Sequence, residues 1–402
     1  MKIRSITIFN GRPGARDKDE IARAGGAASV LRKRLQASGL DVQTTRLALA
    51  PAHTWIAGLS TAQTVETAQV IESMANDAGI DYVSLGPVAA EIAQVEELKK
   101  VPELIAQTKA VFCSAPAADT AQNVNSWALR PIANAVKAIA AATENGFGNL
   151  RFAALAHCLP GIPFFPAAYA AAGEFSCALA IECADIALSV VNERETFPSV
   201  IEGLSRSIEL YDHRICAALD GVQTECGIQF QGCDWSLAPH PDAACSIGAA
   251  LEKLSGAPFG EWGTLTAVAA LTRGIRGARI RHVGFSGVFL PLLEDAILAQ
   301  RTMHVQELQK LLLYSAVCGS GLDTVPLAGD VSADAIAALL GDVATLASVL
   351  KKPLTARLMP IAGLKAGEKT AFDFPYLVNG NALPLSGHAP GLFGSEKIGF
   401  SF

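Results

Sequence analysis

The chain has 402 residues, of which 50% are hydrophobic and 17% charged, and its formal net charge at pH 7 is −6. This length is enough to bury a large core, and the negative charge disfavours a general nucleic-acid surface, which needs basic patches. We find no run of about 18 apolar residues free of charge, so we expect no membrane span.

Nine cysteines are scattered along the chain, at positions 113, 158, 177, 183, 216, 226, 233, 245 and 318. Their odd number argues against a closed disulfide framework, and the lack of a Cys-x-x-Cys motif argues against a structural zinc site. The first residues lead into a strand-like segment without a signal-peptide pattern. We therefore expect a cytoplasmic protein with reduced thiols.

Strand-like and helix-like segments alternate along the chain. Strands are predicted at 3–9, 42–47, 82–85, 111–114, 151–156, 176–181, 230–234, 282–285 and 354–359. Helices are predicted at 17–36, 63–75, 199–219, 264–273, 305–316 and 332–350. Such alternation, with strands that read as buried on both faces, predicts an α/β protein of about ten strands. No internal repeat or charged linker interrupts it, so a single domain over 1–402 is expected, with 385–402 as a loosely ordered tail.

The segment 354–359 is a strand whose alternation separates two faces. Leu354, Ala356 and Leu358 should lie on one face, and Thr355 and Arg357 on the other. The stretch before it, residues 318–330 with the sequence CGSGLDTVPLAGD, combines a thiol, two carboxylates and three glycines. We interpret this stretch as a site loop, although a tight strand-to-helix connection is the alternative. Asp323 and Arg357 are predicted to share one cavity.

The stretch 318–330, together with KPLTARLMPIAG at 352–363 and FDFPY at 372–376, resembles the family known as domain of unknown function seven hundred and eleven. The strings GTLTAV at 263–268, DWSLAP at 234–239 and GIPFFP at 161–166 also match. The resemblance extends from about Phe152 onward and is looser in the N-terminal third. It implies a ten-stranded α/β barrel like that of pyruvate formate-lyase, with helices outside, but no settled activity.

Radical chemistry is one activity that such a barrel can host. Glycyl radical enzymes use a cysteine on an inner loop and a glycine near the C-terminus, and Cys318 would take the place of that cysteine. The Arg-Val-x-Gly-aromatic string of those enzymes is absent, and the nearest glycine, Gly380, lies in the sequence LVNGN. The chain is also much shorter than those enzymes. A cysteine-dependent enzyme without a glycyl radical is therefore the better form of this hypothesis.

Metal-assisted chemistry is a second hypothesis. Carboxylates in or beside predicted loops are the oxygen ligands that Mg²⁺ or Ca²⁺ prefers, and Asp234, Asp323 and Glu294 are the candidate ligands. No spacing motif fixes this set, and turns favour aspartate in any case. No nucleotide cofactor is expected, because no glycine-rich phosphate loop is present.

Acid–base or nucleophilic chemistry on a small anion is the third hypothesis. The candidate catalytic residues are Cys318, Asp323 and Asp330, and Arg357 would hold an anionic group because its fork matches a carboxylate. The other candidate substrate-binding residues are Ser286, His240 and Thr264. We expect Cys318 to line the cavity and to react with alkylating agents faster than Cys177 or Cys183.

These observations together predict a barrel enzyme that acts on a small anionic metabolite, with loops at 157–166, 234–242, 286–295, 318–330 and 357–376 around one mouth. A hydrolase or lyase is favoured over a radical enzyme. A metabolite sensor that uses the same pocket without turnover is the alternative. The expected partner is a small-molecule ligand, not a nucleic acid or a membrane, and assembly as a homodimer is left open.

Overall fold

The computed structural model of the chain describes residues 1–12, 17–302 and 308–400. The strands are β1 Lys2–Asn10, β2 Val42–Leu49, β3 Tyr82–Pro87, β4 Val111–Ala118, β5 Asn123–Asn125, β6 Phe152–Ala156, β7 Phe175–Glu182, β8 Gln229–Ala238, β9 Gly321–Ala328, β10 Leu354–Ile361 and β11 Lys397–Gly399. The helices are α1 Lys18–Ala37, α2 Thr61–Asp77, α3 Val101–Gln107, α4 Ser126–Ala142, α5 Ala184–Glu193, α6 Phe197–Ala218, α7 Val222–Cys226, α8 Ile247–Ser255, α9 Thr264–Gly277, α10 Ala296–Arg301, α11 Leu308–Ser315 and α12 Ala333–Leu350. The prediction of a mixed α/β protein is confirmed.

Local sequence signals explain where several helices begin. The side chain of Asp17 accepts hydrogen bonds from the first turn of α1, and Ser332 does the same for α12. Ser60 and Gln63 form a reciprocal capping box at the start of α2. The predicted helix 305–316 is observed as α11, and its predicted residues 305–307 lie outside the described residues.

All the described strands belong to one sheet, with the order β8-β7-β1-β2-β3-β4-β6-β10-β9 and with β5 and β11 beside β4. Five neighbouring strands, β1, β2, β3, β4 and β6, run parallel to one another. The neighbours on either side, β7 and β10, are antiparallel to them. The start of β1 and the end of β10 therefore lie at the same end of the sheet.

The sheet is strongly curved. Arg4 on β1 and Arg357 on β10 both contact the carboxylate of Glu294, although these strands stand five places apart in the order. A flat sheet would separate them by about 24 Å, because neighbouring strands lie about 4.8 Å apart. Curvature is therefore what gathers charged residues from distant strands.

No continuous strand pairing joins the edge strands β8 and β9 within the described residues. The segment 282–292 lies between them and makes isolated bridges, Cys233 with His282 and Leu237 with Val288 on one side and Pro291 with Asp323 on the other. The strand predicted at 282–285 is therefore not formed. Neither closure into a ten-stranded barrel nor a likeness to pyruvate formate-lyase follows from these pairings.

The two faces of the sheet are covered differently. The helices pack on the convex face, where the large hydrophobic cluster includes Ile6, Leu179 and Leu358. The concave face is covered by the proline-rich loop at 157–171, whose Phe164 and Phe165 pack on strand residues that are largely alanines. Small side chains let the loop backbone approach, and Thr7 Oγ1 donates to the Pro163 carbonyl oxygen at 2.9 Å.

The stretch 318–330 was predicted as a loop, and this is wrong. Most of it forms the buried strand β9, which pairs in parallel with β10. The polar side chains of β9 face the polar interior of the curved sheet. The composition of this strand therefore resembles that of a loop, which is why the prediction was wrong. Most of the segment predicted as a tail has no regular secondary structure, but Lys397–Gly399 forms β11 and pairs with β5. Residues 401–402 of that predicted tail lie outside the described residues.

One helix, α12, is long and apolar enough by composition to cross a membrane. It carries Asp334 and Asp342, and 56% of it is buried inside the protein. Its buried residues include Ile336, Leu340 and Val343, which belong to the main cluster. This is the pattern of a core helix.

Candidate functional site

A cavity of about 80 Å³ lies at the end of the curved sheet where β1 to β4 begin. Its described charged lining consists of Arg4, Arg46, Arg357, Glu294 and Asp323. Its described aromatic lining consists of Tyr82, Phe112, Phe164, Phe165, Phe289, Phe374 and Tyr376. Charged groups thus meet in a largely apolar enclosure, where electrostatic interactions are stronger than in water.

Arg357 is the centre of an ion-pair network. Its Nε donates to Asp323 Oδ1 at 2.6 Å, and its Nη2 donates to Glu294 Oε1 at 2.7 Å. Its remaining amino group, Nη1, donates to the Leu150 carbonyl oxygen at 3.3 Å. All three guanidinium nitrogens are therefore occupied by described protein groups. Arg357 orients the two acids, and its charge is matched by their two carboxylates.

Arg4 is also neutralised by carboxylates. It pairs with the other oxygen of Glu294, and its Nη1 lies 3.7 Å from Glu182 Oε2. Glu182 is not part of the cavity lining, and it is 4% exposed. Burial raises the pKa of Glu182, and the positive charge of Arg4 opposes this shift.

Arg46 differs from the other two arginines, because no described carboxylate forms an ion pair with it. Its Nε donates to Thr44 Oγ1 at 3.0 Å. Its guanidinium carbon lies 5.6 Å from the centre of the Tyr82 ring and 5.3 Å from that of Phe165. Desolvation by burial and the nearby charge of Arg4 lower its pKa to about 9. The site thus contains a cation that forms no ion pair with a carboxylate among the described residues.

The two cavity carboxylates have opposite pKa shifts. Burial raises the pKa of Asp323, and the proximity of Arg357 only partly offsets this. Burial would also raise the pKa of Glu294, but the charges of Arg4 and Arg357 outweigh it and hold the pKa below its usual value. The two arginines thus favour the charged form of Glu294, whereas burial opposes the ionisation of Asp323.

The structure brings Asp323, Arg357 and Glu294 together in one cavity, but Cys318 lies elsewhere. Its side chain is 0% exposed and belongs to the main hydrophobic cluster, and the described cavity lining does not include it. The expectation that Cys318 lines the cavity is therefore wrong, whereas its faster alkylation relative to Cys177 and Cys183 stays a prediction. The cavity expectation failed because Cys318 precedes β9 on the face that meets the helices.

Asp234 holds the backbone instead of a ligand. Its Oδ1 accepts hydrogen bonds from the amide and hydroxyl of Ser236 at 3.0 and 2.6 Å and from the amide of Ser286 at 2.9 Å. Its Oδ2 accepts from the amide of Phe285 at 2.7 Å. Burial raises its pKa to about 6, although these bonds favour the charged form. Ser286 is 4% exposed, adopts φ +40° and stands in this network, not in the cavity lining.

The other candidate ligands also lie apart. Thr264 is 1% exposed at the start of α9, where its hydroxyl accepts from the amide of Gly260 at 3.1 Å. Asp330 is exposed in the turn after β9. His240 lies beside the cavity, with its ring centre 6.2 Å from that of Tyr376. The described residues include no group of three or more His, Cys, Asp or Glu placed to hold a metal.

Two cavity residues, Arg4 and Arg46, were missed as site residues by the sequence reasoning. A signal for Arg46 was present in the alternation of β2, which puts Thr44, Arg46 and Ala48 on the face opposite Leu47. A charged residue at an inward position of a buried strand is unusual and indicates a specific role. Arg4 was quoted only as part of the matching string RSITI.

The fold and the cavity define an α/β protein whose curved sheet encloses a charged, aromatic-lined pocket. The chain belongs to the family described as Uncharacterised ACR (DUF711), whose model matches residues 1–377. The resemblance seen in the sequence is thereby confirmed, and it extends over the N-terminal third as well.

Curated relatives carry the name UPF0210 protein. The chain is 30% identical over 365 residues to one from Syntrophobacter fumaroxidans. The alignment covers 83% of this chain and 77% of that relative. It is 30% identical over 408 residues to one from Pyrobaculum islandicum, with 92% and 87% covered. A relative from Listeria innocua is 25% identical over 371 residues, with 88% and 82% covered. These names assign no activity.

Proposed function

We propose that this protein is an enzyme that binds a small organic anion in the cavity and acts on it by acid–base chemistry. The observation that carries the proposal is Arg46, the cavity arginine that no described carboxylate neutralises. A half-buried cation without a counter-ion is costly, and a ligand carboxylate that pairs with Arg46 would offset this cost. Arg357, which we expected in this role, already has its charge matched by two carboxylates.

The proposed acid–base group is Asp323. Its Oδ1 accepts from Arg357 and from the Thr324 amide, while its Oδ2 accepts no hydrogen bond from a described residue. The raised pKa of Asp323 supports this role, since a base whose pKa is nearer the working pH transfers protons more effectively. Glu294 and Arg357 would hold it in place. Paired acids with diverging pKa values are typical of acid–base sites.

Acid–base chemistry is better supported than the metal-assisted alternative. Glu294 and Asp323 are both engaged by Arg357, and Asp234 uses both carboxylate oxygens to hold backbone amides. A hard cation would have to displace these guanidinium and amide donors to reach carboxylate oxygens. The proposed mechanism therefore contains no metal step.

The cavity favours a ligand of few atoms with an apolar part. Its volume of about 80 Å³ is well below the roughly 300 Å³ at which sites for drug-sized molecules begin. Phe374 and Tyr376 contribute aromatic surface from the segment after β10, and Tyr82 and Phe165 contribute it from the opposite side. An organic acid of low molecular weight matches this combination of one cation and apolar walls.

We also propose that the curved sheet is a barrel, with the segment 282–292 as the element between β8 and β9. The bridges of this segment on both sides support the idea, as does the hydrogen bond from the Gly319 amide to the Val288 carbonyl oxygen at 2.7 Å. A closed arrangement would remove exposed strand edges. It would also make the cavity one mouth of the barrel.

The test is ligand binding by the wild type and by Arg46→Gln, with a panel of small mono- and dicarboxylates followed by calorimetry. Losing one partner of a buried charge pair costs about 2–5 kcal/mol, so affinity should fall roughly 30-fold or more. Arg206→Gln, which removes a surface arginine that is 71% exposed, is the matched control and should bind normally. Equal binding by Arg46→Gln would refute the proposed anion site. Binding without any turnover of the ligand would favour the metabolite sensor.

A further inference from the structure

A second, smaller cavity adjoins the first and shares lining residues with it. Its volume is about 20 Å³, and Asp323 and Arg357 line both cavities. Ser320 and Thr355 line the smaller cavity but not the larger one. We call the smaller one the inner cavity. Asp323 therefore borders both cavities, of which the larger has the size of a small ligand and the inner cavity is about a quarter of that volume.

The inner cavity has the size and the polarity of a site for one water molecule. About 10–15 Å³ of such volume is enough for a water, which also needs two to four polar partners. Ser320 is 1% exposed, and its Oγ has no hydrogen-bond partner among the described residues. A buried hydroxyl without a hydrogen-bond partner is costly, so the Ser320 hydroxyl indicates that a polar molecule binds in the inner cavity.

The remaining polar groups complete a hydrogen-bonding environment. Thr355 Oγ1 donates to the Ser320 carbonyl oxygen at 3.0 Å, which leaves its lone pairs free to accept. Asp323 Oδ1 is engaged by Arg357 and Thr324, which leaves Oδ2 to accept. A water in the inner cavity can therefore accept from Ser320 and donate to both Thr355 and Asp323. Apart from Arg357, the rest of the lining is apolar and includes Phe285 and Phe289.

We propose that the inner cavity holds one water that Asp323 activates, so that the reaction of this enzyme adds water to the bound anion. This inference rests on the proposed function, because it needs a ligand in the larger cavity. It narrows the substrate class to small organic acids with a carbon that water can attack, such as an amide, ester or lactone carbonyl. Asp323 is the catalytic residue, and Ser320 is a positioning residue that acts through the water.

The chemical step balances without any further reactant. Asp323 Oδ2 takes a proton from the water as the water oxygen forms a bond to the carbonyl carbon of the ligand. The π electron pair of the carbonyl moves onto its oxygen. When the tetrahedral adduct collapses, this pair re-forms the carbonyl, the bond to the leaving group breaks, and the leaving group receives the proton from Asp323. The carboxylate of Asp323 is then regenerated.

The first arm of the test is structural. Crystals of the wild type that diffract to about 1.5 Å should show one ordered water within hydrogen-bonding distance of Ser320 Oγ and Asp323 Oδ2. Ser320→Val, which fills the space, should lack this water. Ser320→Ala should show it weakened and serves if the valine variant does not fold. A dry inner cavity in the wild type would overturn the inference.

The second arm is catalytic and uses a panel of small carboxylic acids that carry an amide, ester or lactone, incubated in H₂¹⁸O. The wild type should place ¹⁸O in the product, and Asp323→Asn should reduce kcat by about 100-fold or more, as loss of a general base does. Ser320→Ala should lower kcat while KM stays unchanged. Ser348→Ala is the matched control, since Ser348 is also 1% exposed with an unpartnered Oγ but lies on α12.

The outcomes separate this inference from the proposed function. A probe that binds in an Arg46-dependent way and is converted without ¹⁸O in the product would overturn the water mechanism and leave the anion site intact. Equal loss of kcat in Ser320→Ala and Ser348→Ala would reduce Ser320 to a structural role and overturn its part. Absence of Arg46-dependent binding by every probe would count against the proposed function itself.

Discussion

Arg357 and Arg46 have the same side chain in the same cavity, yet only Arg357 should contribute strongly to stability. Arg357 compensates two buried acids, whereas Arg46 has no described counter-ion. We expect Arg357→Met to lower the free energy of unfolding by about 3–5 kcal/mol, because it leaves Glu294 and Asp323 buried without their shared cation.

Arg46→Gln is the control for this prediction. It removes an unpaired and partly desolvated charge, so its free energy of unfolding should stay within about 1 kcal/mol of the wild type. Urea denaturation of both variants without ligand measures the difference. A similar loss of unfolding free energy in the two variants would show that the ion-pair network around Arg357 does not stabilise the fold.

Asp234 should make stability depend on pH. Burial penalises the charged form and raises its pKa from the ordinary 3.8 to about 6 in the folded protein. A group with a raised folded-state pKa contributes stability that is fully present below about 3.8 and is lost as pH rises through about 6. The free energy of unfolding of the wild type, relative to that of Asp234→Asn, which cannot ionise, should therefore fall as the pH rises from about 3.8 to about 6. Denaturation curves over this range check the sign, and a flat or rising difference would contradict it.

At the scale of elements, the contact between the segment 282–292 and the start of β9 depends on two glycines. A Cβ atom on Gly319 would lie 2.9 Å from the carbonyl carbon of Gly287, and one on Gly287 would lie 2.6 Å from the Cα of Gly319. Both distances are shorter than normal carbon contacts, and the obstacle is backbone. The segment approaches β9 closely only because neither residue has a side chain.

Gly319→Ala should therefore loosen this contact. We expect a loss of about 1–3 kcal/mol in the free energy of unfolding, the usual cost of overpacking. Gly26→Ala is the control, because Gly26 lies in α1 and a Cβ there would meet nothing within 4 Å. It should gain about 0.5–1 kcal/mol from helix propensity. Equal thermal stability of the two variants would show that the glycine contact is dispensable.

The strands and helices were predictable where periodicity was the deciding signal. In β10 the predicted alternation is confirmed, because Leu354, Ala356 and Leu358 join the main hydrophobic cluster and Arg357 lines the cavity. In β9 the same reasoning failed, since glycines, a proline and inward-facing polar residues gave a loop-like composition. Asp323 was found for its chemistry and placed on the wrong kind of element.

At the scale of the whole molecule, the sequence could predict the class of fold but not the order of the strands. The antiparallel junctions of β1 with β7 and of β6 with β10 depend on contacts between distant parts of the chain. The pairing of Arg4 with Glu294 follows from the resulting curvature. Local patterns carry no information on such partners, so the sequence could not show that Arg357 pairs with two carboxylates while Arg46 pairs with none of the described ones.

The curvature of the sheet has a consequence for how the molecule reaches its native state. Arg4 and Glu294 are 290 positions apart in the chain, and Arg357 and Leu150 are 207 apart. Folds dominated by such distant contacts fold slowly, and domains emerge from the ribosome with the N-terminal part first. The edge of β6 therefore stays unpaired until β10 has been made. The cavity likewise forms only after almost the whole chain has been made, because Glu294, Asp323, Arg357 and Tyr376 all line it.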